Sequence, residues 1–180
     1  MMLLIHGDNL TASRNYLNQF LAVAREKNQE IIRLDGEIVD LTGLKQALES
    51  QSLFSQEKLA VIEGLLSRKP SLEKEKIIGY LAGLEAAPAL ILWERKITTS
   101  SLIKKFGPKP QAKLFKIPAL VFHFLDSVWP GNQTSMLKSL KLLKSLKTEA
   151  PELTFYLLSR RINQLILARD LGKAGLPKLA

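Results

Sequence analysis

Two hydrophobic periodicities alternate along the first two thirds of the chain. Short apolar runs bounded by glycine or charged residues predict buried strands, and apolar residues three and four positions apart predict helices. The predicted strands span residues 2–6, 30–35, 58–63, 89–93 and 112–117, and the predicted helices span 11–27, 41–48, 71–85 and 99–106. Because strands and helices alternate, we expect an α/β domain with a five-stranded, mostly parallel sheet of P-loop or Rossmann-like class.

The alternation ends at Pro118, and only helices are predicted beyond it. These helices span 119–128, 134–147 and 151–171, with proline-containing breaks between them. We therefore expect an α/β domain over residues 1–118 and a small all-helical domain over 119–180.

Charge and composition narrow the classes of protein that the chain can belong to. The sequence has 26 Lys and Arg against 17 Asp and Glu, a net charge of +9, and no cysteine, which excludes disulfides, thiolate nucleophiles and iron–sulfur clusters. The positive charge favours encounters with nucleic acid, although the charge alone is better explained by a solvated lysine-rich surface. The apolar runs are too short or too interrupted to span a membrane, and Met1–Asp8 lacks the basic segment of a signal peptide. We expect a cytoplasmic protein.

The segment after the first predicted strand is where a P-loop fold would hold phosphate. A Walker A loop needs several glycines, a lysine for the β- and γ-phosphates and a Ser or Thr for magnesium. The segment from Gly7 to Ser13 has one glycine and no lysine, and Asp8, better explained as a cap or turn residue, would repel a triphosphate. A dinucleotide-binding fingerprint is also missing. We expect no nucleotide cofactor here.

The remaining titratable residues predict no catalytic site. His6 ends a strand and His123 lies in an apolar helix, so both are expected to be packed residues rather than catalysts. Glu63 and Glu94 end two predicted strands at the carboxyl edge of the sheet, where a metal pair is an open alternative. The pattern as a whole predicts neither an enzyme active site nor a metal centre.

Two segments are candidates for binding macromolecules. The polar stretch Glu49–Gln56 contains the apolar pair Leu53-Phe54. This pair either packs under its loop, as burial alone favours, or is exposed as an anchor for a partner's apolar pocket. The second segment is a lysine row interleaved with leucines, which is either a solvated face or a phosphate-binding face. The candidate nucleic-acid contacts of this row are Lys138, Lys141 and Lys144. Two arginines of the last helix, Arg160 and Arg161, are further candidates.

Several segments together resemble the delta subunit of the bacterial DNA polymerase III clamp loader. They are Leu3-Leu4-Ile5-His6-Gly7-Asp8-Asn9, Leu34-Asp35-Gly36-Glu37, the run from Gln51 to Ile62, Leu90-Ile91-Leu92-Trp93-Glu94, and pieces of the chain from Phe124 to Leu165. The resemblance follows most of the chain in order.

The resemblance implies an AAA+-like fold without a working Walker A loop, in a protein that is not itself an ATPase and binds no cofactor. Such a subunit binds the ring-shaped sliding clamp through the apolar pair matched by Leu53 and Phe54, with Ser52 and Gln51 in the same motif, and helps to open the ring. It acts within the DNA polymerase III holoenzyme, and its helical C-terminal domain joins the other loader subunits in a collar. The implied partners are the sliding clamp, the other loader subunits and DNA.

The chain departs from the pattern of that family in two ways: no lid domain separates the α/β segment from the helical segment, and the helical segment stops after Pro177, short of a complete collar domain. It passes directly from Ile117-Pro118 into the segment that resembles the third domain. We therefore expect a short form that lacks the middle lid domain, with residues 119–180 forming an incomplete collar-like domain. A general basic nucleic-acid-binding module is the alternative function.

Overall fold

The computed structural model describes residues 2–50, 57–84, 89–107, 110–129, 131–145 and 151–173. The chain forms two compact units, residues 1–116 and 117–180. In chain order the elements are β1 (Met2–Gly7), α1 (Leu10–Glu26), β2 (Glu30–Asp35), α2 (Leu41–Glu49), β3 (Lys58–Glu63), α3 (Leu72–Gly83), β4 (Ala89–Glu94), α4 (Ser100–Lys104), β5 (Pro110–Phe115), α5 (Ala119–Ser127), α6 (Gln133–Ser145) and α7 (Pro151–Lys173).

The first unit is built on a five-stranded sheet whose strand order is β2-β3-β4-β1-β5. All four strand pairings are parallel. The predicted α/β fold class is therefore confirmed. The sequence pattern left two fold classes open, P-loop and Rossmann-like. The strand order decides between them: β1 lies between β4 and β5, as in the P-loop/AAA+ class, whereas a Rossmann sheet has the order 3-2-1-4-5-6.

Each predicted element is present, with its ends within two residues of the prediction. The strand predicted at 112–117 is β5, which begins two residues earlier, at Pro110. Proline is tolerated there because β5 is an edge strand paired only with β1, and Pro110 is its first residue. Ile117, predicted as the end of this strand, instead packs with the core of the helical unit.

Alternation of side chains along the central strands divides the apolar residues between the two faces of the sheet. On one face, Leu3, Ile5 and Val61 pack against α1. On the other, Leu4 and Ile62 pack against α2 and α3. The sheet is therefore covered by helices on both sides, as a buried parallel sheet requires.

The described part of the second unit consists of α5, α6 and α7, which share a small apolar core. Val121, Phe124 and Leu125 of α5 and Leu143 of α6 are its buried members. His123 was expected to be packed, but it is exposed on α5, because the neighbours that face this core are Val121, Phe124 and Leu125. Among the described residues, no helix is both long and apolar enough to cross a membrane.

Candidate functional site

The turn between β1 and α1 lies where a P-loop fold has its phosphate loop. Hydrogen bonds to other parts of the same domain hold this turn closed. Only Asp8 and Asn9 separate the strand from the helix. The backbone N–H of Gly7 donates to the carbonyl oxygen of Lys96, and that of Asn9 donates to the carbonyl oxygen of Phe115 at 3.1 Å. The Asn9 side chain caps α1 by accepting from the N–H of Ala12 at 3.1 Å. These N–H groups are therefore committed within the protein, whereas a phosphate loop directs them at its ligand.

The two carboxylates at the ends of β3 and β4 lie on opposite faces of the sheet. Glu63 pairs in register with Trp93, so Glu94 is one residue further along its strand. Since successive side chains of a strand alternate between faces, Glu63 turns to the α1 side and Glu94 to the α2–α3 side. The metal pair that was an open alternative is therefore wrong, and no cluster of three or more metal-ligating side chains occurs among the residues that the structure describes.

On the α1 face, Glu63 joins two arginines that are remote in sequence. Arg14 of α1 donates to both carboxylate oxygens, at 3.0 and 2.9 Å, and Arg33 of β2 donates to one of them. The guanidinium of Arg14 also lies 3.7 Å from the ring centroid of Trp93. The hydrogen bonds from Arg14, more than the one from Arg33, hold the pKa of Glu63 below its usual value, although partial burial opposes the shift.

A cleft of about 280 Å³ opens beside this network, at the carboxyl ends of the strands. Its charged lining consists of two arginines and three carboxylates: Arg33, Arg95, Asp35, Glu37 and Glu63. Arg33 and Glu63 already bind each other. The balance of charge in the lining does not favour a phosphate group, which agrees with the closed turn after β1.

The Glu63 network predicts a loss of stability at acid pH. A carboxyl group whose pKa is lower in the folded state stabilises the fold above its ordinary pKa of 4.5, and this contribution is lost as the pH falls through the folded value. Glu63→Gln should lower the free energy of unfolding by about 1–2 kcal/mol at pH 7, since all three arginine hydrogen bonds lose the carboxylate charge and at least one loses its acceptor. Urea unfolding at pH 7, 5, 4 and 3 should show this difference shrinking towards the acid end.

Glu75→Gln is the matched control for this series. Glu75 pairs with Lys105 on the exposed surface, where an ion pair contributes between zero and about 1 kcal/mol. Its difference from the wild type should be small at every pH. A difference for Glu63→Gln that stays constant from pH 7 to pH 3 would contradict the assignment.

On the opposite face, Glu94 and Lys74 fix the loop that connects β3 to α3. Glu94 accepts from the N–H of Leu66 at 2.6 Å and from the N–H and hydroxyl of Ser67 at 3.0 and 2.7 Å. The ammonium group of Lys74 donates to the carbonyl oxygens of Leu66 and Arg68 at 2.6 and 2.7 Å. Burial raises the pKa of Glu94, although the hydrogen bonds that it accepts act in the opposite direction. Burial lowers the pKa of Lys74. Both side chains hydrogen-bond to the backbone of the same loop, so their role is structural.

His6 is a packed residue, as predicted. It is buried, and its Nδ1 accepts from the backbone N–H of Thr98 at 3.0 Å. Burial lowers the pKa of this imidazole. The histidine thus connects the end of β1 to the loop after β4.

Gln51, Ser52, Leu53 and Phe54 lie outside the described residues, but both ends of their segment are described. Ser50 caps the C-terminus of α2, and Lys58 begins β3. The Lys58 ammonium group donates to the hydroxyl of Ser50 at 2.9 Å and also to its carbonyl oxygen. The two ends are therefore joined at the amino-terminal edge of the sheet, opposite the edge that carries the β1–α1 turn.

The candidate nucleic-acid contacts of the helical unit lie on two helices. Lys138, Lys141 and Lys144 are exposed on α6, but at about 100° per residue they spread over an arc of roughly 120°. On α7, Arg160 is exposed, whereas Arg161 is partly buried and its Nε is enclosed without a hydrogen-bond partner.

Comparison with known proteins gives a likeness in structure but none in sequence. No family model matches the chain, and no curated protein matches it in sequence. Among solved structures, the chain is similar to a DNA polymerase III gamma subunit-related protein from Thermotoga maritima, with a TM-score of 0.43 and 13% sequence identity. The match covers 78% of this chain and 49% of that protein, so this chain spans about half of its length.

Proposed function

We propose that this chain is a non-catalytic clamp-loader subunit that binds a sliding clamp of DNA polymerase III through Leu53 and Phe54, with Ser52 and Gln51 in the same motif. The observation that carries the proposal is a sheet of the P-loop/AAA+ class whose phosphate-loop position is closed by Asn9 and Phe115. A fold of a nucleotide-binding class that has lost its phosphate loop suits a subunit that works by binding another protein.

The anchoring of the segment that carries the motif adds support. Lys58, at the start of β3, donates to Ser50, at the end of α2, so the described residues on the two sides of the motif are hydrogen-bonded to each other. A segment whose two ends are fixed loses less conformational entropy on docking than one whose ends are free. An apolar pair in that position can fill a pocket of the clamp and supply most of the binding energy.

The helical unit supports association with further loader subunits. Its α7 presents large apolar side chains to solvent: Phe155, Tyr156, Ile162, Ile166 and Leu167. Exposed aromatic and aliphatic residues on a helix are typical of a surface that packs against another protein. We propose that residues 119–180 contribute this surface to a collar-like assembly, in the cytoplasm.

The alternative, a general basic nucleic-acid-binding module, has one favourable observation. Lys138, Lys141, Lys144 and Arg160 are exposed in a chain of net charge +9. Their spread around α6 suits weak, sequence-independent contact with phosphates better than recognition of a defined site.

The double substitution Leu53→Ala/Phe54→Ala tests the proposal. It should weaken binding to the sliding clamp of the same organism by at least 100-fold, because both anchor side chains of a central hot spot are removed. Binding is measured by surface plasmon resonance with the full chain. The triple substitution of Lys138, Lys141 and Lys144 by glutamine is the control, and its clamp affinity should stay within twofold of the wild type. Equal clamp binding by the wild type and the double alanine variant would reject the assignment.

A further inference from the structure

The strand β5 is an open edge of the sheet. Of the described strands it pairs only with β1, and the four residues at its centre are exposed: Gln111, Ala112, Lys113 and Leu114. At the other edge of the sheet, four of the six residues of β2 are partly buried. An edge strand presents unpaired backbone N–H and C=O groups with which another strand can pair, and proteins normally cover or charge such an edge. The exposure of β5 raises the question of which partner it accepts.

The direction of the backbone groups follows from one hydrogen bond at the end of β5. The carbonyl oxygen of Phe115 accepts from the N–H of Asn9, on the β1 side, at 3.1 Å. Because successive residues of a strand direct their N–H and C=O groups to opposite edges, Ala112 and Leu114 direct theirs away from β1. Pro110 has the same parity, so its missing N–H costs no bond to β1. No described residue bonds to the outward groups of Ala112 and Leu114.

Positive charge is concentrated in the segment that contains this strand. Residues 95–116 have seven basic side chains and no acidic one, whereas residues 1–94 have ten basic and thirteen acidic side chains. Lys105 binds Glu75 at 2.8 Å, Arg95 lines the cleft that also contains three carboxylates, and Lys109 lies outside the described residues. The other four basic residues are exposed, and none of them pairs with a described carboxylate: Lys96, Lys104, Lys113 and Lys116.

The elements beside β5 add little negative charge. The strand β1 has no acidic residue, and α1 has one, Glu26, at its last position. Two carboxylates are closer to the basic segment: Asp8 in the turn after β1, and Glu75, which Lys105 binds. Against these two stand Lys105 and the four exposed lysines. The surroundings of the open edge are therefore net positive.

The side chains of β5 divide between the two faces of the sheet. The Lys113 ammonium group lies 5.9 Å from the ring centroid of Tyr16, and the rings of Tyr16 and Phe115 are 5.3 Å apart. Lys113 and Phe115 thus lie on the α1 face. By alternation, Ala112 and Leu114 lie on the opposite face, where Leu114 is 43% exposed. A strand paired with this edge meets a lysine beside aromatic rings on one face and an aliphatic side chain on the other.

Backbone and charge together favour an acidic polypeptide over other partners. The outward carbonyl oxygens need hydrogen-bond donors. The sugar–phosphate backbone of DNA offers acceptors only, whereas an extended polypeptide offers both donors and acceptors. Pairing with a second copy would bring together two segments that each carry seven positive charges. Lysines on an edge strand oppose pairing with basic strands, but they attract a strand that carries carboxylates.

We propose that the open edge of β5 binds an acidic protein segment in extended conformation, which adds a sixth strand to the sheet. Main-chain hydrogen bonds to Ala112 and Leu114 supply the affinity, and carboxylates beside Lys113 and Lys116 supply the selectivity. Complementary charge also speeds association. The site is on a different element from the segment that carries the proposed clamp-binding motif, so it does not depend on the clamp contact.

Three synthetic probes test the edge with the full, isotope-labelled chain. They are a decapeptide of alternating Glu and Val, its counterpart of alternating Lys and Val, and a single-stranded oligo(dT) of equal length. In amide NMR spectra the acidic peptide should shift the N–H signals of Ala112 and Leu114 and slow their hydrogen exchange, and its affinity should fall as salt is raised. The proposal is overturned if the basic peptide binds equally well, if oligo(dT) binds this edge more tightly, if the shifts lie elsewhere in the chain, or if β5 already pairs with a second copy.

Variants separate the backbone pairing from the charge. Ala112→Pro removes an N–H that faces away from β1, so it should weaken binding of the acidic peptide about 10-fold or more while the urea midpoint stays unchanged. Lys113→Gln/Lys116→Gln should weaken binding about 10-fold and reduce its dependence on salt. The glutamine variant of the three α6 lysines is the control, and both it and the Leu53→Ala/Phe54→Ala variant should bind within twofold of the wild type.

Wild-type affinity of Ala112→Pro for the acidic peptide would overturn the proposal. Should this variant prove unstable, hydrogen exchange of the Leu114 N–H in the wild type decides instead. Exchange that is equally fast with and without saturating acidic peptide would show that the edge forms no strand pairing.

Discussion

Glu94→Ala is expected to destabilise the α/β unit by about 3–5 kcal/mol, the cost of removing one member of a buried set of charges. Glu94 is fully buried, and Lys74 is only 5% exposed. Removal of Glu94 leaves the N–H groups of Leu66 and Ser67 without their acceptor. It also takes from the Lys74 ammonium the stronger of the two negative charges that favour its charged form, the other being Glu75. Each buried donor that loses its partner costs about 1–3 kcal/mol. The free energy of unfolding in urea, followed by circular dichroism, measures the loss.

Two further variants keep this prediction informative if Glu94→Ala fails to fold. Glu94→Gln preserves the shape and one acceptor oxygen but removes the charge, so it should fall between the wild type and the alanine variant. The surface variant Glu75→Gln should change the free energy of unfolding by less than about 1 kcal/mol. A loss below about 1 kcal/mol for Glu94→Ala would show that the loop between β3 and α3 is held by its apolar contacts instead.

The element boundaries were predictable because both periodicities are strong and the breaks carry glycine or proline. The strand order was not predictable from local pattern, because the insertion of β1 between β4 and β5 depends on which faces the helices cover. The same limit applies to the charged network. Arg14 and Arg33 reach Glu63 across 49 and 30 residues of sequence, and only the packing of α1 and β2 brings them together.

Two predictions about side chains, the Glu63–Glu94 metal pair and a packed His123, were wrong because the sequence does not show which way a side chain faces. The metal pair of Glu63 and Glu94 assumed that two adjacent strand ends are in register, whereas Glu63 lies beside Trp93 and the offset of one residue sends the two carboxylates to opposite faces. His123 was expected to be packed because α5 is apolar nearly all round. A helix in a small three-helix unit buries only the side that faces its neighbours, and His123 lies on the other side.

Gly7→Ala is expected to lower the free energy of unfolding by about 2–5 kcal/mol, from backbone strain together with steric overlap. Gly7 has φ of +139°, which residues with a side chain rarely adopt, and a Cβ here would lie 1.8 Å from the carbonyl oxygen of Phe115. That oxygen accepts the N–H of Asn9, so relieving the overlap also disturbs the contact that closes the β1–α1 turn. Urea unfolding of the purified full chain measures the loss.

Gly79→Ala is the matched control because it makes the same chemical change in the opposite setting. Gly79 lies inside α3, where a Cβ would meet no atom within 4 Å apart from the neighbouring backbone of its own helix. Alanine is the better helix former by about 0.5–1 kcal/mol, so this variant should be more stable than the wild type. Opposite signs for the two variants are the expected result. A Gly7→Ala variant as stable as the wild type would contradict this prediction. It would mean that the end of β1 and Phe115 separate at little cost, so that the β1–α1 turn could open to admit a ligand.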